Sequence, residues 1–258
     1  MDSHEVLPEV DPPALTASAV HVWLFASDLP LTPYEELLAC LDASERDRAS
    51  RFHFERDRLR FVAAHARLRR LLGRYTNSPD AELRFVHGPS GKPELDSGAG
   101  RPLVSFNLAR SGGWAVAAVT AGAPVGVDLE ALRDFPEHED IARCHFAPAE
   151  IEALSRLPAL DRAEGFLAVW TLKEAWLKAT GDGLSAPLSR FDVLSDPGFV
   201  RKVAPSERIA GWRSFGLRPA PDIVAALSVQ MASPKLTCFG FKSGQQPGPV
   251  NPEFHVVA

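Results

Sequence analysis

Asp128 and Glu130 stand two residues apart at the end of a short apolar run that begins at Val125. If that run is a strand, both carboxylates project from one face while Val127 and Leu129 point to the other. Two hard oxygen donors side by side suit a magnesium ion, and an exposed acidic pair at a strand end has the same spacing. A second row lies between Trp170 and Leu184. On a helix, Trp170, Glu174 and Lys178 fall one turn apart on a common face, so an aromatic ring, a carboxylate and an ammonium stand in line. A third metal ligand beside a phosphate-binding lysine would have that arrangement, and so would an ordinary Glu–Lys surface pair next to a core tryptophan. Gly181 and Gly183 then permit a sharp turn.

Arginine supplies the third feature. Between Glu45 and Arg74 there are ten arginines against four acids, in a chain of 258 residues with a formal net charge of −5. Such a local excess suggests a small polyanionic ligand or an acidic partner, and equally describes a solvated helix laced with ion pairs. The negative total argues against a general nucleic-acid binder, whose affinity comes from neutralising phosphates. Cys40, Cys144 and Cys238 are odd in number and far apart, without metal or disulfide spacing, so they are expected to be reduced and structural. Asp2, Glu5, Glu9 and Asp11 with three prolines leave no room for a signal peptide in the first twenty residues. The uncharged stretch from Trp114 to Val127 is too short and too rich in Gly and Pro to span a bilayer. No membrane partner and a cytoplasmic location are therefore expected.

The elements that must position these residues read as follows. Residues 1–19 form a loose lead-in, and residues 20–26 (VHVWLFA) a first strand. Pro33 opens a short helix. Ser44 caps a longer helical stretch with Asp47 at capping-box offset, and Gly73 with Asn77-Ser78-Pro79 ends it. Strands follow at residues 83–87, 103–108, 114–120 and 125–130, with GPSGKP as a turn. The order then repeats: a helix from Pro148, a second from about residue 162 to 180, and strands near Phe191, at 212–217 and at 223–229. The expected fold class is α+β, built as two similar subdomains, residues 20–122 and 123–240, with a poorly ordered tail at 241–258.

VGVDLE at 125–130 and WTLKEAWLKATGDGL at 170–184 closely resemble the paired signature of the 4′-phosphopantetheinyl transferases of the surfactin-synthetase-activating (Sfp) type. Residues 45–69, the GKP at 91–93 and the FNLARS at 106–111 agree in order, so the resemblance covers roughly residues 20–235. It implies a pseudo-dimer of two α/β subdomains with coenzyme A in the cleft between them, acting as a monomer on an apo acyl- or peptidyl-carrier protein. It further implies that Asp128, Glu130 and Glu174 hold Mg2+ and that Lys178 binds the coenzyme A phosphate nearest the adenosine. Arg48 and Arg60 fall where the family reads the 3′-phosphate, and Gly91, Lys92 and Pro93 where it lines the adenine. Trp170 and Lys173 match positions with a structural role. Where the family commonly has a Ser-His pair on phosphate, this chain has Ala109-Arg110, and arginine supplies a fixed charge in place of a titrating one.

The chemistry expected of these residues is attack by a carrier serine on the pyrophosphate of coenzyme A, which needs neutralised phosphate oxygens, in-line geometry and a proton acceptor. Lys178 would steady the departing 3′,5′-ADP, and Glu174 or a water would take the proton. A noncatalytic module binding coenzyme A or a carrier has no need of three placed carboxylates and a lysine. A metal-dependent nucleotide hydrolase could use the carboxylates, but no P-loop or HExxH is present.

Overall fold

The structure, a computed structural model, describes residues 11–28, 32–88, 91–96, 104–133, 135–183, 187–194, 201–203 and 208–240. The expected tail at 241–258 and the first ten residues of the lead-in lie outside them. The first half runs β1 (Ala19–Ala26), α1 (Tyr34–Cys40), α2 (Ala43–Ser50), α3 (Glu55–Thr76), β2 (Phe85–His87), β3 (Pro93–Leu95), β4 (Ser105–Ser111) and β5 (Trp114–Thr120). The second half repeats that order with β6 (Val125–Ala131), α4 (His138–His145), α5 (Pro148–Ser155), α6 (Arg162–Thr180), β7 (Phe191–Asp192), β8 (Arg201–Lys202), β9 (Arg213–Ala220) and β10 (Ile223–Val229). In each half the first strand pairs antiparallel with the last, β1 with β5 and β6 with β10. This is the expected α+β fold of two similar subdomains.

One strand departs from that division. β11 (Lys235–Phe239), which the sequence reading places in the second half, pairs in parallel with β1 in the sheet of the first, giving the order β11-β1-β5-β4. The second sheet has the order β6-β10-β9. The two sheets stack face to face. Val20, Val22, Leu24, Val116 and Ala118 of one and Val125, Val127, Leu129, Ala225 and Leu227 of the other form a shared apolar cluster. Alternation then sends Trp23, Phe25, Ala115, Ala117 and Val119 outward onto Leu68, Leu71 and Leu72 of α3. Val224 and Ala226 turn the opposite way, onto Phe166, Val169 and Leu172 of α6. The protein is thus four layers deep, α3, sheet, sheet, α6, and the free sheet edges β4 and β6 meet where the Asn107 side chain accepts from the Val127 N–H at 2.9 Å.

The long helix expected from Ser44 is two helices. Asp42, not Ser44, caps α2: its carboxylate accepts from the Glu45 N–H at 2.9 Å while Glu45 reaches back to the Asp42 N–H at 3.2 Å. Extended backbone at Phe54 (ψ 132°) separates α2 from α3, letting Phe52 turn onto Phe61 with ring centroids 5.2 Å apart. Asn77 ends α3 in the left-handed region (φ 50°), as a C-cap asparagine does. Part of the arginine excess is spent on ion pairs within the chain, one set of them buried and the others at the surface. The fully buried Arg69 donates to Asp42 and Glu45, each at 2.5 Å, and to the carbonyls of Asp80 and Leu83, while Arg51, Arg58 and Arg70 pair with Asp47, Glu55 and Asp80. No helix among the described residues is long and apolar enough to cross a membrane, and Cys40, Cys144 and Cys238 are free thiols.

Candidate active site

β6 and α6 bring the two carboxylate-bearing segments together through one glycine. A Cβ on Gly126 would overlap the Ala175 carbonyl and the Ala179 N–H, so only glycine lets the helix backbone rest on the strand. Two residues on along the same face, Asp128 meets Lys178, whose Nζ donates to Oδ1 at 2.5 Å. Asp128 is only 6% exposed. Burial pushes its carboxyl up to about 6, with the Lys178 charge opposing and Glu130 and Glu174 adding to the rise. Burial likewise raises Glu174, again with Lys178 opposing and Glu130 adding. The three carboxylates and the ammonium therefore share one electrostatic neighbourhood.

Two oxygens in it have no donor: Asp128 Oδ2 and Glu174 Oε1 are buried without a hydrogen-bond partner. Buried acceptors of this kind are costly to leave unsatisfied, and an all-oxygen set of adjacent carboxylates fits a hard divalent cation. Among the described residues no three such side chains close around a point as a finished metal cage. An open half-site is what magnesium uses when substrate phosphates and water complete its shell. Glu130 is held separately, its Oε2 accepting from the Ser111 hydroxyl at 2.7 Å.

Arg48 and Arg110 each approach the Phe61 ring, their guanidinium carbons 5.5 and 5.2 Å from its centroid, and His65 stacks on the same ring at 4.0 Å. Burial lowers the His65 pKa, opposed by Glu45, with the Arg110 and Arg48 charges lowering it further. Burial and then the Arg48 charge pull the Arg110 guanidinium below its usual value, with Asp57 opposing. Like charges that feel one another in this way are relieved by a neighbouring anion. Arg60 shares a recess of about 210 Å³ with Arg110, Ser111 and Gly113. It is clamped by Asp28, to which its Nε and, at 2.6 Å, its Nη2 donate. That hydrogen bond, with the Coulomb attraction behind it, holds Asp28 below the usual carboxylate range and raises Arg60.

Gly91, Lys92 and Pro93 lie elsewhere. Lys92 Nζ donates to the Val125 carbonyl at 2.9 Å, at the opposite end of β6 from Glu130, and burial lowers its pKa with Glu94 opposing. Gly91 has φ +78°, a turn conformation that glycine adopts without strain, and Pro93 begins β3. Lys92 borders a cleft of about 770 Å³ between the halves, with Ser105 on one wall and Thr180, Gly181 and Trp212 on the other. The structure thus brings Asp128, Glu130, Glu174 and Lys178 together, sets Arg48, Arg60 and Arg110 around Phe61 and the neighbouring recess, and keeps Lys92 apart. Lys173 is wholly buried on Glu150 at 2.8 Å and lies outside the site. Asp28 and Ser111 went unassigned by sequence reasoning; Ser111 sits within the quoted FNLARS segment, while nothing in spacing links Asp28 to Arg60.

A family model described as the 4′-phosphopantetheinyl transferase superfamily matches residues 124–224, and one described as 4′-phosphopantetheinyl transferase, N-terminal, matches residues 31–122. The 4′-phosphopantetheinyl transferase HetI of Nostoc sp. is 36% identical over 231 residues, covering 89% of this chain and 95% of the relative. The chain belongs to the 4′-phosphopantetheinyl transferase superfamily. This transferase is also similar to the 4′-phosphopantetheinyl transferase Sfp of Bacillus subtilis, 27% identical over 64% of this chain and 72% of the relative. The human L-aminoadipate-semialdehyde dehydrogenase-phosphopantetheinyl transferase is 29% identical over 66% of this chain and 59% of the relative. The boundary between the two family models falls between β5 and β6, where the element order of the transferase begins again.

Proposed function

We propose that this transferase moves the 4′-phosphopantetheine group of coenzyme A onto a serine of an apo acyl- or peptidyl-carrier protein, using Mg2+ held by Asp128, Glu130 and Glu174 and releasing 3′,5′-ADP. The observation that carries the reading is the β6–α6 row, in which Lys178 neutralises Asp128 while one oxygen each of Asp128 and Glu174 is buried without a donor. Bound there, the cation supplies Lewis-acid and template chemistry to the pyrophosphate. Lys178 turns its ammonium to the phosphate nearest the adenosine and stabilises the charge left on departing ADP. Glu174, whose burial raises its proton affinity, suits acceptance of the serine proton. Arg48, Arg60 and Arg110 take the 3′-phosphate, and the cleft beside Gly91, Lys92 and Pro93 takes the adenosine. One chain carries every residue invoked, which supports a monomer; the free thiols accord with the cytoplasm.

The deciding experiment incubates the protein with coenzyme A, Mg2+ and an apo-carrier and weighs the carrier. A gain of one phosphopantetheine mass is expected. Coenzyme A bound but carrier unmodified would mean a noncatalytic module; coenzyme A cleaved without carrier modification would mean a hydrolase.

Arg60→Ala is expected to raise the KM for coenzyme A about tenfold or more, the scale of a lost charge-assisted contact, and to leave the KM for 3′-dephospho-coenzyme A nearly unchanged. Equal weakening of both substrates would remove Arg60 from the 3′-phosphate.

A further inference from the structure

We propose that Ser111 is a positioning residue for Glu130, fixing that carboxylate for the divalent cation; the inference rests on the metal reading of the β6–α6 row. The Ser111 hydroxyl donates to Glu130 Oε2 at 2.7 Å and accepts from the Ala131 N–H at 3.3 Å. A carboxylate oxygen can only accept, so in this contact the hydroxyl is the donor, and its second bond, from the backbone, uses one of its lone pairs. The contact occupies one glutamate oxygen and leaves the other for a cation.

The backbone around Ser111 is built to hold it there. Ser111 pairs with Trp114 across the two-residue turn Gly112-Gly113, whose φ values of 58° and 86° are those of a tight hairpin turn. A Cβ on Gly112 would overlap the side chain of Ala131, so the turn is pressed against the residue that follows Glu130. The Gly113 carbonyl accepts from the N–H groups of Ser27 and Asp28 at 2.7 and 3.2 Å, which pins the turn to the end of β1. Glu130, in contrast, is only half-buried at the end of its strand. A long side chain there keeps several rotamers unless a partner selects one, and partners of ligating carboxylates typically change metal affinity 10- to 100-fold.

The test titrates Mn2+, followed by its paramagnetic resonance signal in the presence of coenzyme A, into the parent protein, Ser111→Ala, Ser111→Thr and Glu130→Gln. Expected results are about tenfold weaker Mn2+ binding in Ser111→Ala, restoration in Ser111→Thr, and a thermal midpoint for Ser111→Ala close to the parent's. The Mg2+ concentration giving half-maximal transfer should shift in step, while kcat at saturating Mg2+ stays near the parent value. Parent-like Mn2+ affinity in Ser111→Ala, with affinity lost in Glu130→Gln, overturns the role of Ser111 alone. Unchanged affinity in Glu130→Gln overturns the metal reading and this inference with it. Weakening in Ser111→Ala that threonine does not restore also overturns it, because the hydroxyl is then not the cause. Should the alanine variant not fold, Ser111→Cys keeps the shape with a feeble donor, and the same loss is expected of it.

Discussion

Asp128→Ala is expected to lower turnover about a thousandfold at ordinary magnesium, the scale on which losing one preorganised charge-stabilising group acts. The substitution deletes the buried carboxylate at the centre of the row and leaves the Lys178 ammonium without its 2.5 Å partner. Near-parental turnover would contradict the placement of the reaction at β6. The same residue gives the metal-free protein a signature in its stability. Burial raises the folded pKa of Asp128 to about 6 from an unfolded value of 3.8. Between those values the folded state binds more protons than the unfolded state, so stability falls as pH rises from about 4 to 6. Asp128→Asn cannot ionise and should flatten that slope in urea titrations carried out in chelator. A slope identical to the parent's would show that Asp128 ionises in the fold as it does in water.

Lys173→Met is expected to destabilise the protein by about 3–5 kcal/mol, the cost of leaving a buried charge without its partner. Lys173 and Glu150 are both wholly buried, 2.8 Å apart. Lys173 also donates to the carbonyls of Leu188 and Phe191 at 2.8 and 2.6 Å, so all three of its hydrogens are used. Glu150 accepts from the N–H groups of Ala147 and Val193 at 2.8 and 3.0 Å. Burial lowers the Lys173 pKa and raises that of Glu150, while each charge favours the ionised form of the other. Lys173→Met with Glu150→Gln should cost less than Lys173→Met alone, because no charge is stranded. Urea unfolding of the two variants measures this, and equal losses would show that the pair is not coupled.

The row of Asp128, Glu130, Glu174 and Lys178 was legible because strand and helix periodicity alone decide which side chains share a face, and both elements formed where their patterns placed them. The arginines were harder. Spacing counts ten of them without revealing that Arg69 is consumed by Asp42 and Glu45 inside the core or that Arg60 is clamped by Asp28 from the end of β1. Those contacts depend on how the layers stack, which local sequence does not encode. The break at Phe54 was missed because no glycine or proline marks it; the Asp42–Glu45 box, which begins two residues before Ser44, was a readable signal, masked by Ser44 with Asp47 at the same offset. β11 was missed because Lys235–Phe239 is short and only partly buried, and its strand character comes from pairing with β1.

That pairing also orders events in time. β1 lies near the start of the chain and β11 roughly two hundred residues later, yet they are neighbours in one sheet. At synthesis rates of about 5–20 residues per second, β1 waits on the order of 10–40 s for its outer partner to leave the ribosome. Throughout that interval one side of β1 presents unpaired N–H and C=O groups to any strand that passes, and the four-stranded sheet closes only when the last described element arrives.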